Sequence, residues 1–345
     1  MEYTIGETRL ESQFVAFRRT WWPAIRQEME DVVSTTLSND SPIRRMFLYH
    51  LNTGGKRLRA ILPLLIAESL GTPAAKIVPF AAACEMLHNA SLVHDDIQDG
   101  DSLRRGNLTV WKKFGMAQAI NLGDAMIAFT LCLSDRLDVP AALREKAKKL
   151  ILSEMLRVID GQAVEFDLQQ NFRPCIDDYI RMVEGKTSSL FSLPVGGAAL
   201  LSEASKEVEE ALVESASQIG VLFQIQDDLM DLFSDDEMTV PGQDVREGKL
   251  NILTIHFMQN AKPEDVRWLM DILEKPVNGT TMDDVQAVRD AFTVSGSLDF
   301  ALSEISSRKE AALAFPRLDT TEFAATAAVL KQACDMFLTP IRDMT

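Results

Sequence analysis

The chain is 345 residues long, 46% hydrophobic and 25% charged, which supplies the apolar area for a sizeable core and excludes general disorder. Its 51 acidic against 35 basic residues give a net charge of −16, a field that repels nucleic acid phosphates and anionic lipid headgroups, so neither is expected as a partner. An anionic substrate has to be drawn by a local cluster of cations, or by metal ions on carboxylates, against that field.

In chain order, the opening MEYTIGETRLE has no basic segment followed by an apolar one, and no uninterrupted apolar run approaches the ~18 residues of a membrane span. A cytoplasmic protein without stable membrane insertion is expected. No composition shift or Gly/Pro/Ser-rich linker divides the chain, so residues 1–345 read as one domain, with the stretch to about residue 40 a partly peripheral N-terminal extension. Apolar residues recur at helical spacing through most of the remaining sequence, as in 141–168 and 202–233, whereas strand-like alternation is scarce. Gly71-Thr72-Pro73, Asp138-Val139-Pro140, Arg173-Pro174 and Pro241-Gly242 punctuate these segments as helix ends and loops. Residues 77–93 and 188–201 are apolar nearly all round and belong at the centre of a helical bundle, where Gly196 and Gly197 either let neighbours approach closely or leave a void. Cys84, Cys132, Cys175 and Cys334 lie far apart with no CxxC pairing, so neither a zinc site nor a disulfide framework is expected. The fold class is all-α.

The strongest chemical signal is LVHDDIQDGD, where Asp95 and Asp99 stand one helical turn apart with Asp96 between them. The pattern returns in FQIQDDLMD as Asp227, Asp228 and Asp231. Like charges at i and i+4 repel, so two such triads beside apolar helix faces call for cations, and magnesium bound to diphosphate is a natural one. A single DDxxD is as readily a solvated helix end; two, each accompanied by basic motifs, are not.

GGKRLRA offers Lys56, Arg57 and Arg59 beside two glycines, an arrangement suited to clamping a diphosphate, although alone it also reads as a basic surface turn. Arg104 and Arg105 follow the first triad with guanidinium forks matched to phosphate; ion pairing with Asp99 or Asp101 is the competing reading. His88 lies two turns before Asp95 and can donate to a phosphate oxygen or sit satisfied in the core. Lys186 and Thr187, in GKTSS, lie in an apolar helix, where an ammonium needs an anionic partner or must snorkel to the surface. DVREGK supplies Asp244 and Lys249 beyond the second triad.

GGKRLRA, HDDIQDGDSLRRG, GKT, FQIQDDLMD and DVREGK, in this order from Gly54 to Asn251, resemble the trans-type isoprenyl (polyprenyl) diphosphate synthases. The resemblance implies a single-domain bundle of about a dozen antiparallel helices around a deep central cavity, usually a homodimer. It implies that Asp95, Asp96, Asp99, Asp227, Asp228 and Asp231 hold three Mg²⁺ on the allylic diphosphate. It places Lys56, Arg59, His88 and Arg105 on isopentenyl diphosphate, and Arg104, Lys186, Thr187, Gln224 and Lys249 near the allylic diphosphate. Gln162 matches a glutamine that faces the hydrocarbon near the reacting carbon. One position departs: Thr239 stands where a GKxxGxD loop usually has lysine.

The reaction so implied joins isopentenyl diphosphate to dimethylallyl, geranyl or farnesyl diphosphate. Departing pyrophosphate is stabilised by metal and cations, the isopentenyl double bond attacks the allylic carbon, and a proton is lost. Ala90 and Ser91, about one turn below Asp95, are small, so the product tunnel is expected to pass the C15 stage, with Leu87 and Met86 one turn deeper as a floor. Geranylgeranyl diphosphate is the expected product and a C25 or longer chain the alternative; tight helix packing with no tunnel also accounts for the two small residues. A class I terpene cyclase and a non-catalytic regulatory subunit are the rival functions, and retention of both DDxxD clusters speaks against each.

Overall fold

Helices begin where local chemistry satisfies their free N–H groups. In the computed structural model, which describes residues 9–170, 174–234, 241–276, 279–314 and 323–338, α1 (Arg9–Thr36) leads into α2 (Pro42–Leu51), whose first turn holds a proline that needs no N–H partner there. Next come α3 (Leu58–Ser69) and α4 (Val78–Gln98), the latter again with proline in the first turn. A hairpin of two-residue strands, Leu103–Arg104 and Asn107–Leu108, is the only β-structure among the described residues. The remaining helices are α5 (Val110–Phe114), α6 (Met116–Asp135), α7 (Ala141–Gln169), α8 (Ile176–Val183), α9 (Ser189–Leu201), α10 (Lys206–Phe233), α11 (Gln243–Glu247), α12 (Ile252–Asn260), α13 (Pro263–Leu273), α14 (Met282–Val294), α15 (Ser297–Leu313) and α16 (Ala324–Phe337). At the start of α14, Thr281 and Asp284 form a reciprocal capping box: Asp284 N donates to Thr281 Oγ1 at 3.1 Å and Thr281 N to Asp284 Oδ2 at 2.9 Å. The all-α class expected from the periodicity is the observed one.

The chain divides into two compact units, Met1–Met155 with Ser192–Val213 and Arg317–Gln332, and Leu156–Phe191 with Glu214–Pro316 and Ala333–Thr345. Most of the boundaries fall inside α7, α9, α10 and α16 rather than in loops, so no linker announces them in the sequence.

In the first unit α4 is the central helix, packed by α1, α3 and α6, as its all-round apolar sequence predicts. Ile25, Met29, Val32 and Val33 recur at helical spacing and form a buried stripe on α1, which packs on α4. Gly197 of α9 serves close approach and leaves no void, since a β-carbon there would lie 1.8 Å from the Phe80 ring. Among the described residues α6 alone is long and apolar enough to cross a membrane by length and composition, yet one side of it packs along α4. Its other side exposes Met116, Ala117, Ile120, Ala128 and Cys132. In the second unit, α12 packs on α8, α14 and α15, with Phe257 and Phe292 in tilted contact at 5.5 Å.

Gly197→Ala is expected to cost about 1–3 kcal/mol through overpacking against Phe80, read as a lower urea midpoint at unchanged m-value. An unshifted midpoint would contradict the close packing of these two helices.

Candidate active site

Within the first unit, α4 carries two polar stripes on an otherwise apolar helix. At about 100° per residue, His88, Asp95 and Asp99 share one line, and Glu85, Asn89 and Asp96 another. The second line is buried, with Glu85 2%, Asn89 1% and Asp96 1% exposed, and each of its carboxylates holds an arginine. Glu85 Oε1 accepts from Arg57 Nη1 at 2.8 Å, and Asp96 Oδ1 accepts from Arg104 Nε at 2.6 Å. The first line is half-buried.

The hairpin turns through Arg105 and Gly106, both at positive φ, and so folds Arg104 back onto Asp96 and Arg105 onto the Gly54 carbonyl. Gly55 is required beneath this arginine: at φ +132° a side chain is strained, and a β-carbon would meet Arg105 Nη1 at 2.7 Å. Arg59 Nη1 stands 3.4 Å from His88 Nε2, and Lys56 is exposed beside Gly55. Arg104 is therefore on the first triad, and Arg59, Arg105 and Arg104 all lie near enough to His88, two turns earlier on α4, to act on its charge. This is the local cationic cluster that the overall negative charge demands.

Burial, reinforced by Arg59, Arg105 and Arg104, holds the His88 imidazole well below its usual range, so at neutral pH it is uncharged. Burial pushes the Asp96 carboxyl up to about 6 against the pull of Arg104, and its Oδ2 is buried without a hydrogen-bond partner. His50, on α2, is lowered to about 3, first by burial and then by Arg104, Arg105 and Arg57.

Within the second unit, Gly161 of α7 crosses a π-helical turn, Glu184–Ser188, so closely that a β-carbon would lie 2.2 Å from Lys186 N. The contact brings Glu165, one turn along α7, onto Lys186, with Oε2 to Nζ at 2.5 Å. The ammonium in its apolar helix thus has an anionic partner and does not rely on snorkelling. Both polar atoms of the Gln162 amide are buried without a hydrogen-bond partner. Thr187 Oγ1 donates to Gln224 Oε1 at 2.8 Å, and Gln224 Nε2 donates to Asp228 Oδ1 at 2.9 Å.

Asp228 is 4% exposed, and its Oδ2 accepts from the Tyr179 hydroxyl at 2.6 Å and from Ile252 N at 3.4 Å. Asp227 is exposed, whereas Asp231 accepts from the backbone N–H groups of Gln243 at 3.0 Å and Asp244 at 3.1 Å. Burial, then the charge of Asp244, raises Asp231 to about 7 and pushes Asp228 well above the carboxylate range. Lys249 Nζ meets Glu247 Oε2 at 2.7 Å, and its N–H donates to the Asp244 carbonyl at 2.9 Å. Thr239 lies outside the described residues.

Each triad therefore hides its middle carboxylate, whereas Asp95, Asp99 and Asp231 are half-buried and Asp227 is exposed. Among the described residues no three acidic, histidine or cysteine groups converge as a ready metal cage. Magnesium needs none, since it commonly keeps waters and takes one or two carboxylates plus substrate phosphate. Burial and the neighbouring Asp244 charge both oppose ionisation of the second triad, a cost that a divalent cation would offset, so the donor set fits magnesium-diphosphate.

The family model for polyprenyl synthetase matches residues 40–292. The chain belongs to the polyprenyl synthetase family. Within it, the chain is 34% identical over 268 residues to a geranylgeranyl diphosphate synthase of Methanosarcina mazei, covering 76% of this chain and 80% of that one. It is 32% identical over 285 residues to a (2E,6E)-farnesyl diphosphate synthase of Mycobacterium tuberculosis, covering 77% of each. The crystal structure of geranylgeranyl pyrophosphate synthetase from Pyrococcus horikoshii Ot3 superposes with a TM-score of 0.86 at 25% identity, covering 96% of this chain and 99% of that one. The family resemblance and the isoprenoid synthase type of helical fold read from the motifs are thereby established.

Sequence reasoning missed Glu165, Tyr179 and Glu85. Glu165 was within reach, three residues after Gln162 on one helix face. Nothing in the sequence marks Tyr179 or Glu85, because their partners are distant along the chain.

His50 predicts a pH dependence. The unfolded imidazole takes up its proton near 6.5 and the folded one only near 3, so in that window the unfolded state binds more protons and stability falls with acidification. The slope should reach about 1.4 kcal/mol per pH unit at most, and His50→Gln should flatten it in denaturation midpoints between pH 6.5 and 4. Parallel profiles for the two proteins would reject the buried, neutral imidazole.

Proposed function

We propose that this chain is a magnesium-dependent trans-prenyltransferase that condenses isopentenyl diphosphate with an allylic diphosphate, with geranylgeranyl diphosphate as product. The observation that carries the reading is the crowding of Arg59, Arg104 and Arg105 about a neutral His88 on the helix of the first triad, with Arg104 bound to Asp96, in an otherwise acidic chain.

Lys56, Arg59, His88 and Arg105 bind isopentenyl diphosphate, the arginines by charge and the imidazole as a neutral hydrogen-bonding group. Arg104, Lys186, Thr187, Gln224 and Lys249 bind the allylic diphosphate. For Lys186 and Lys249 this means exchanging Glu165 and Glu247 for phosphate oxygens. Asp95, Asp99, Asp227 and Asp231 would hold Mg²⁺, three ions in all, with Asp96 and Asp228 behind them; bound there, magnesium neutralises the diphosphate and improves pyrophosphate as a leaving group. The allylic C–O bond breaks with its electrons leaving on pyrophosphate, the isopentenyl double bond forms the new bond to C1, and the released pyrophosphate takes the proton. The unpartnered Gln162 amide faces the developing cation, and apolar walls exclude water.

Identity alone does not separate C20 from C15 products, because the chain is similar to synthases of both kinds. The side chains below the first triad favour the longer product: Ala90 and Ser91 are small, and Leu87 and Met86 lie one turn deeper. Purified protein with isopentenyl and farnesyl diphosphates plus Mg²⁺ should release a C20 diphosphate, identified by mass, and Ala90→Phe should shorten it. A cyclic hydrocarbon or no product would overturn the reading, and an unchanged chain length in the variant would remove Ala90 from the tunnel.

A homodimer is also part of this proposal, supported by Met116, Ala117, Ile120, Ala128 and Cys132, which α6 leaves open to solvent beside Gln118, Asn121 and Asp124. Ile120→Asp should convert a dimer into a monomer in sedimentation equilibrium; a mass independent of the substitution would exclude this face as the contact.

A further inference from the structure

Arg57 sits in the middle of the cationic segment Lys56–Arg59, yet its side chain is 6% exposed and is paired with the buried Glu85. Its backbone is left-handed, φ 60° and ψ 31°, a conformation that a residue with a long side chain adopts only when its surroundings impose it. Three elements do so. Nη1 donates to Glu85 Oε1 of α4 at 2.8 Å, Nη2 donates to the carbonyl of Leu51 at the end of α2 at 2.7 Å, and the guanidinium lies 4.4 Å over the Trp22 ring of α1. Asn89 locks the receiving carboxylate, donating to Glu85 Oε1 at 3.0 Å and to its carbonyl at 2.7 Å.

A buried ion pair is no more stabilising than well-packed apolar residues of the same volume, so its use here needs a reason beyond stability. That reason is what the pinned side chain does to its neighbours. With Arg57 drawn inward and left-handed, Lys56 on one side is directed to solvent, and α3 starts at Leu58, which puts Arg59 in its first turn beside His88. On the other side the same turn presents the Gly54 carbonyl and the bare face of Gly55 to Arg105.

We propose that Trp22, Arg57 and Glu85 form a positioning cluster that sets Lys56, Arg59 and Arg105 for the diphosphate of isopentenyl diphosphate. Trp22 acts through the Arg57 guanidinium, whose planar fork it stacks against while Glu85 neutralises the charge. The cluster rests on the assignment of that loop to isopentenyl diphosphate made above.

Steady-state kinetics with each substrate varied in turn test it. Trp22→Leu is expected to raise KM for isopentenyl diphosphate about tenfold, as loss of a desolvated cation–π contact would, with KM for the allylic diphosphate held within roughly twofold. Trp22→Phe, which keeps a ring face, should restore most of the affinity. If Trp22→Leu does not fold, Arg57→Lys, which keeps the charge and loses the fork, is measured for the same split. Lys56→Ala serves as the reference. Should Lys56→Ala raise this KM while Trp22→Leu only lowers Tm, the cluster is structural and the proposal is wrong. If instead Lys56→Ala leaves KM unchanged, the loop does not bind isopentenyl diphosphate, and the proposal falls together with that assignment.

Discussion

Keeping acidic groups inside a protein is the constraint on which this molecule turns. Each DDxxD run sets two carboxylates one helical turn apart and a third beneath them, where desolvation and mutual repulsion both oppose ionisation. The two units meet the problem differently. In the first, arginines neutralise the buried acids: Arg104 lies on Asp96 and Arg57 on Glu85. In the second, neutral donors take that role, with Tyr179, Gln224 and backbone N–H groups around Asp228 and Asp231, and burial then drives the acids toward their protonated forms. Two similar stretches of sequence therefore differ electrostatically, one supported by fixed positive charge and the other by neutral donors around carboxyls whose ionisation burial opposes.

Close backbone approach is the second requirement. Lys186 reaches Glu165 only because Gly161 and Gly185 allow α7 to lie against a π-helical turn with no side chain between them. The loop bearing Lys56 reaches Arg105 only because Gly55 offers a bare face to a guanidinium. These glycines act by removing atoms, and each contact places a cation rather than a hydrophobic group. The polar chemistry thus depends on packing as much as on charge.

The motif-bearing residues were largely readable from the sequence. Asp95 with Asp99, and Asp227 with Asp231, follow from a four-residue spacing on a helix, and Arg104 and Arg105 follow from cations in an acidic chain. Arg57 could not be read. Adjacent to Lys56 and chemically equivalent to Arg59, it belongs to the core because Glu85, the Leu51 carbonyl and Trp22 receive its guanidinium at positive φ, and none of these partners is marked in the segment Lys56–Arg59. The buried stripe of α1 was open to the same periodicity argument that located the other helices, whereas the division into two units was not, since most of its boundaries fall within helices.

The all-α class, the family, and the inventory of carboxylates, guanidiniums and glycines are legible in residue order alone, because helical periodicity and motif spacing are local properties of the chain. Which members of that inventory face one another is settled by folding in three dimensions: Asp96 with Arg104, Asp228 with Tyr179, Lys186 with Glu165 and Arg57 with Trp22. These pairings depend on how helices cross and on the sign of single backbone angles. Burial and partnership, which set the charge of each group, arise from those crossings and from nothing that adjacent residues encode.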